Sequence, residues 1–171
     1  MKLIIKNSFL GKHVFDENGK EICQISSHVM NLNQNILLID QQKTYVSTLE
    51  RVGSDEKLNS VLKLHIVDES TKHEEVLGNA LGKSKAMLYE RIFHDLIVED
   101  HKSKQIYYLQ LNSDTHWQIE DHEHQLIGNI HKMDAYGNIQ LECASINDVL
   151  LLCSFYIFTR YLMKENEAML V

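Results

Sequence analysis

Six times along this chain an aspartate opens a short polar turn between two apolar segments. A chain that reverses so often and so evenly is constrained to an antiparallel sheet. The turns are Asp16-Glu17-Asn18-Gly19-Lys20, Asp40 to Thr44 (DQQKT), Asp68 to Lys72 (DESTK), Asp100 to Lys104 (DHKSK), Asp121 to Gln125 (DHEHQ) and Asp134 to Asn138 (DAYGN). Aspartate and serine side chains accept or share hydrogen bonds with nearby backbone amides, which is why they open turns. Asn18-Gly19 carries a type I′ hairpin signal, because both central positions of that turn need positive φ.

Between the turns the apolar period is two. Leu62, Leu64 and Ile66 alternate with Lys63, His65 and Val67, and Ile139, Leu141 and Cys143 alternate with Asn138, Gln140 and Glu142. Such alternation puts one face of a strand in a core and the other in water. Glycine recurs at matching places, in Val76-Leu77-Gly78-Asn79-Ala80-Leu81 and Leu126-Ile127-Gly128-Asn129-Ile130. A glycine inside a strand pattern marks a bulge or a tight bend. Counting the segments on either side of each turn predicts about twelve strands over residues 2–143. Gly53 to Ser60 and Gly82 to Ala86 read as loops.

The C-terminal part breaks this rhythm. Ser145-Ile146-Asn147-Asp148 resembles a capping box with Asp in place of Glu, and a helix is expected over about residues 146–163. The run between Asp148 and Arg160 is eleven residues without a charge. Its apolar side chains point in every direction around the axis, so this helix must be surrounded by protein or lipid. Eleven helical residues cover ~16 Å, about half of a ~30 Å hydrocarbon core, so the surroundings are expected to be protein.

Composition narrows the function. With 171 residues, no proline, 44% hydrophobic and 24% charged residues, the chain reads as one globular domain over residues 1–171. The charge balance is 17 − 24 = −7, which argues against a duplex nucleic-acid partner, since that needs a basic face. Cys23, Cys143 and Cys153 are too few and too widely spaced for a disulfide framework or a zinc knuckle, so buried reduced thiols are expected. Met1 to Leu10 reads as a first strand and not as a secretory signal. These signs favour the cytoplasm, at the membrane periphery if lipid is the ligand.

About twelve alternating strands followed by one wholly apolar C-terminal helix resembles the tubby-like C-terminal fold, and most of all the small LURP-one-related proteins. The likeness is carried by the repeated Asp-containing turns, each followed by an apolar-Gly-x-apolar strand. It stands in Asp68 to Leu81 and Asp121 to Ile130, and without the glycine in Asp16 to Ile25 and Asp100 to Leu111. Phospholipid scramblases are similar in layout. The resemblance implies an all-β domain: an antiparallel barrel of about twelve strands closed around its own buried helix, with no internal room for a ligand. Binding would then fall to the outer surface. In tubby proteins a basic pocket holds phosphoinositide headgroups; the candidates for such a role here are the doublets Lys83/Lys85 and Lys102/Lys104.

The expected role is a non-catalytic binding or scaffold module. The second reading is a membrane phospholipid- or phosphoinositide-binding or scramblase-like protein. The third is a metal-dependent enzyme with an unrecognised site. For that last reading Asp121, His122 and His124 could offer a carboxylate and imidazoles to a transition metal, although they share a turn expected to be solvated. The ten histidines would also move the formal charge from −7 to +3 in mild acid, which would favour anionic membranes at low pH. No Gly-rich phosphate loop, nucleotide fingerprint or nucleophile elbow is present, so no cofactor is expected.

Overall fold

The computed structural model describes residues 1–28, 31–52, 59–86, 92–100, 102–113 and 115–168. Twelve strands and one helix are found among them. The first six strands are β1 (Lys2–Ser8), β2 (Gly11–Asp16), β3 (Glu21–His28), β4 (Asn31–Ile39), β5 (Lys43–Val52) and β6 (Asn59–Asp68). The other six are β7 (Glu74–Ala86), β8 (Ile92–Glu99), β9 (Ile106–Ser113), β10 (His116–Glu120), β11 (Leu126–Lys132) and β12 (Ile139–Cys143). Helix α1 spans Val149–Ala168.

Each strand pairs antiparallel with its sequence neighbours, and β1 also pairs with β12, so the hydrogen-bonded order closes into a ring. Full closure leaves no unpaired edge. The inward residues follow the alternation of the sequence: Leu3 and Ile5, Leu64 and Ile66, Leu96 and Val98, Trp117 and Ile119 are all buried. Nine consecutive helix residues, Leu151 to Thr159, are buried as well. Nine residues make two and a half turns at ~3.6 residues per turn and so face every direction; protein therefore surrounds α1 on all sides. Tyr107 on β9 meets Phe155 edge to face at 5.4 Å. The buried hydroxyls of the helix turn back on its own backbone: Ser154 donates to Leu150 O at 2.7 Å and Thr159 to Tyr156 O at 3.0 Å. These two hydroxyls are thus satisfied without partners outside the helix. All three cysteines are free and buried. No described helix is long and apolar enough to cross a membrane.

Three details depart from the sequence expectations. The helix starts at Val149 because Asp148, not Ser145, is the cap: its Oδ1 accepts from Leu150 N at 2.8 Å and Leu151 N at 3.2 Å. It runs on to Ala168, through Lys164, Glu165, Glu167 and Ala168, which are good helix formers. Gly82 to Ala86, expected as a loop, belongs to β7, where the whole segment pairs with β8 and Gly82 and Lys83 pair with β6 as well; that tertiary pairing overrides local polarity. Of the other expected loop, residues 53–58 lie outside the described residues, while Asn59 and Ser60 are in β6.

The turns show why aspartate recurs. In three of them, opened by Asp16, Asp121 and Asp134, the side chain accepts the amides two and four residues on at 2.9 to 3.1 Å. The fourth residue then takes positive φ: Gly19, His124 and Gly137. In the turns opened by Asp68 and Asp100 the carboxylate takes the amides two and three residues on, and positive φ falls one place later, on Lys72 and Lys104. The type I′ signature is absent at Asn18-Gly19, where only Gly19 has positive φ. It appears at Asp40 and Gln41, which both have positive φ while Gln42 N donates to Ile39 O at 3.1 Å.

Two predictions arise here. A side chain in the left-handed region costs roughly 1 to 2 kcal/mol, which glycine avoids at some entropic cost of its own. Lys104→Gly is therefore expected to gain up to about 1 kcal/mol, read as a higher urea midpoint; a lower midpoint would refute it. The second concerns acid. The Ser70 hydroxyl and amide hold the Asp68 carboxyl below its ordinary value of 3.8. At Asp134 desolvation pushes upward, but hydrogen bonds from Asn138, Tyr136 and Gly137 outweigh it and lower that carboxyl too. A depressed folded-state value means stability that is present above the unfolded value and lost as pH falls below it. Wild type should lose urea midpoint more steeply than Asp68→Asn as pH drops below about 4; parallel curves would remove Asp68 from the acid response.

Candidate functional site

Because the strands run up and down in order, the connections alternate between the two ends of the barrel. One pole carries the turns at Asp16, Asp40, Asp68, Asp100 and Asp121, together with the N-terminus of α1. The opposite pole carries the β1–β2, β9–β10 and β11–β12 connections, and α1 runs toward it after five connecting residues, Ala144 to Asp148. Since the helix fills the interior, open space is left at the ends.

At the first pole a cleft of about 410 Å³ lies beside the start of α1. Its charged walls are of both signs: Lys43 and Lys102 face Asp40, Asp68 and Asp148. At the second pole a cleft of about 430 Å³ is one-sided, with Lys12, Lys132 and Arg160 as its only charged lining residues among those described. Its apolar wall is formed by Trp117, Ile130, Ile139 and Met163. Trp117 is inward-facing on β10, paired with Ile130 on β11, and 2% exposed. Its indole N–H is buried and has no acceptor among the described residues. Tyr156, one turn before Arg160 on α1, also lines this cleft; burial pushes its hydroxyl well above the ordinary range, with Arg160 pulling the other way.

The rim of this cleft is held by Asn7 at the end of β1. Asn7 Nδ2 donates to Tyr136 O at 2.8 Å, its amide donates to Asn138 Oδ1 at 3.0 Å, and its Oδ1 accepts from Lys12 Nζ at 2.5 Å. A side chain at Gly137 would meet Asn7 Nδ2 at 2.8 Å, so glycine there permits both the positive φ and the contact. Beyond the rim, Phe9 and Leu10 form an almost fully exposed tip and Tyr136 is 84% exposed.

The residues singled out from the sequence do not assemble. Asp121 spends its carboxylate on the amides of Glu123 and Gln125. His122 is exposed beside Glu123 at 3.8 Å, while His124 stacks on Tyr108 at 4.3 Å and faces Glu120 at 3.2 Å. Among the described residues no group of three His, Cys, Asp or Glu side chains could hold a metal. Lys102 and Lys104 sit on the β8–β9 turn at the first pole, whereas Lys83 and Lys85 lie toward the other end of β7, with side chains outside the described set. Lys12, Trp117, Lys132 and Arg160 were missed because they are scattered over the chain, and no local motif joins them. The chain matches no known family model, no curated protein and no solved structure.

Proposed function

We propose that this chain is a non-catalytic binding or scaffold module of tubby-like architecture, working through its outer surface and barrel ends. The observation that carries the reading is the burial of α1 on every side from Leu151 to Thr159: a barrel stuffed with its own helix has no lumen to offer. The tubby-like assignment is supported by the twelve antiparallel strands in sequential order around a C-terminal helix. Hydrogen exchange tests it. Amides of α1 should keep their protection when apolar ligands such as retinol are added; ligand-induced loss of that protection would mean that the helix yields its place to cargo, as in a carrier.

The second reading, a membrane-lipid-binding protein, is favoured by one feature. Phe9 and Leu10 at the β1–β2 tip are 102% and 83% exposed, next to the lysine-bearing rim. Exposed large apolar residues beside cations suit an interface with anionic lipid. In flotation assays the wild type should rise with phosphatidylserine-containing vesicles, and Phe9→Ser/Leu10→Ser should not. Equal recovery of the two, bound or unbound, would reject this reading.

A further inference from the structure

His116 opens β10, and His131 lies directly opposite it on β11. Their strand neighbours Trp117 and Ile130 are buried, so by alternation both histidines stand on the outer wall, where each is half-buried. The two rings meet edge to face with centroids 6.1 Å apart. We propose that this cross-strand pair is a chelating site for a late first-row divalent transition ion, with one nitrogen from each imidazole on the metal and Asn129 orienting the His116 ring. The site goes beyond the binding-module reading and does not depend on what fills the barrel.

Geometry, tautomer and surroundings agree. A metal–nitrogen bond of ~2.0 to 2.1 Å places two imidazole centres that share an ion roughly 4.5 to 6.3 Å apart, for bond angles from about 90° to 180°. The observed 6.1 Å lies inside that range, and a small rotation of either ring reaches the ~5 Å of a tetrahedral angle. His116 Nε2 lies 3.2 Å from Asn129 Oδ1. An amide oxygen can only accept, so Nε2 carries the hydrogen and Nδ1 keeps its lone pair. Histidine ligands are held in just this way, the second ring nitrogen donating to a neighbouring oxygen. Neither ring nitrogen of His131 has a hydrogen-bond partner among the described residues. By contrast His13, His65, His122 and His124 each lie against a glutamate. The residues opposite the pair on the outer strands, Ser113 on β9 and Gln140 on β12, are neutral and do not repel a cation. Imidazole suits copper, nickel and zinc, whereas magnesium and calcium take oxygen ligands.

Nickel is a suitable probe, because its unpaired electrons broaden the signals of nearby nuclei. Titrating the nitrogen-15-labelled protein with Ni²⁺ is expected to broaden the ring signals of His116 and His131 first, with a saturable sub-millimolar midpoint, while Mg²⁺ leaves them unchanged. His116→Gln and His131→Gln, made separately, should each raise the midpoint about tenfold or more. Asn129→Ala should raise it about tenfold, and Asn129→Asp, which keeps an oxygen for His116 Nε2, should restore it. All four substitutions lie on the outer wall and should melt as the wild type does in metal-free buffer, so a merely structural role would not move the midpoint alone. His122→Gln/His124→Gln is the control for the histidines of the Asp121 turn and should leave the midpoint where it was. Absence of saturable broadening, broadening centred on other histidines, or an unchanged midpoint in either single histidine variant would overturn the proposal. An unchanged midpoint in Asn129→Ala would overturn the orienting role given to Asn129.

Discussion

Phe155→Asp is expected to leave no folded protein. Phe155 is fully buried in α1 and packs edge to face on Tyr107 of β9. Removing a buried phenylalanine costs roughly 3 to 5 kcal/mol from lost transfer energy and the cavity left behind. An ionised carboxylate without a partner in that space adds several more. The sum reaches the whole stability of a typical domain, about 5 to 15 kcal/mol. The expected result is an insoluble product, or a soluble one with no cooperative thermal transition by circular dichroism. Phe155→Ala should remain folded with about 3 to 5 kcal/mol less stability. Arg160→Asp, five residues along the same helix but exposed, should keep a cooperative melt and thereby show that position, not charge, is what matters. A Phe155→Asp protein melting like wild type would mean that α1 is dispensable to the core.

The second large effect is expected at Gly128. It pairs with Cys143 across β11 and β12, and a Cβ built there would sit 2.2 Å from Glu142 O and 3.0 Å from Cys143 Cα. Both are backbone atoms and cannot rotate away, so Gly128→Ala must push the two strands apart. Pairing next to the β1–β12 closure of the ring would be strained with them. Overpacking costs typically 1 to 3 kcal/mol and occasionally more, and the rigid obstacle argues for about 3. For a chain of this length that corresponds to a melting temperature about 6 to 12 °C lower. Gly19→Ala is the control: nothing lies within 4 Å of its Cβ, so only the strain of φ +78° is felt. Equal melting of the two variants would show that β11 and β12 separate at little cost.

Gly128 also shows how far a sequence can be read. An apolar-Gly-x-apolar strand announced an irregularity, and β11 does shift register against β10 between Ile119 and Glu120. The parallel glycine, Gly78, falls beside a comparable shift between β6 and β7. Neither strand pattern says which backbone comes close enough to exclude a Cβ, because that depends on a strand fifteen residues away in the chain, at Cys143. The turns tell the same story in smaller compass. Aspartate marked all six, yet the I′ geometry settled on Asp40-Gln41 instead of Asn18-Gly19, since a carboxylate gripping the amides of Asn18 and Lys20 offered the first hairpin a different set of bonds.

Local chemistry and periodicity alone determined the strands, most of their turns, the apolar helix and its need to be enclosed, because hydrogen-bond demand and solvent exclusion act on every short stretch of chain. What tertiary structure decided is where scattered side chains meet. It separated the lysine doublets to opposite poles, left the histidines of the Asp121 turn apart, and drew Lys12, Trp117, Lys132 and Arg160 around one cleft. Such convergence depends on which strands become neighbours when the sheet curls around the helix, and that is a property of the whole packing with no trace in any single segment.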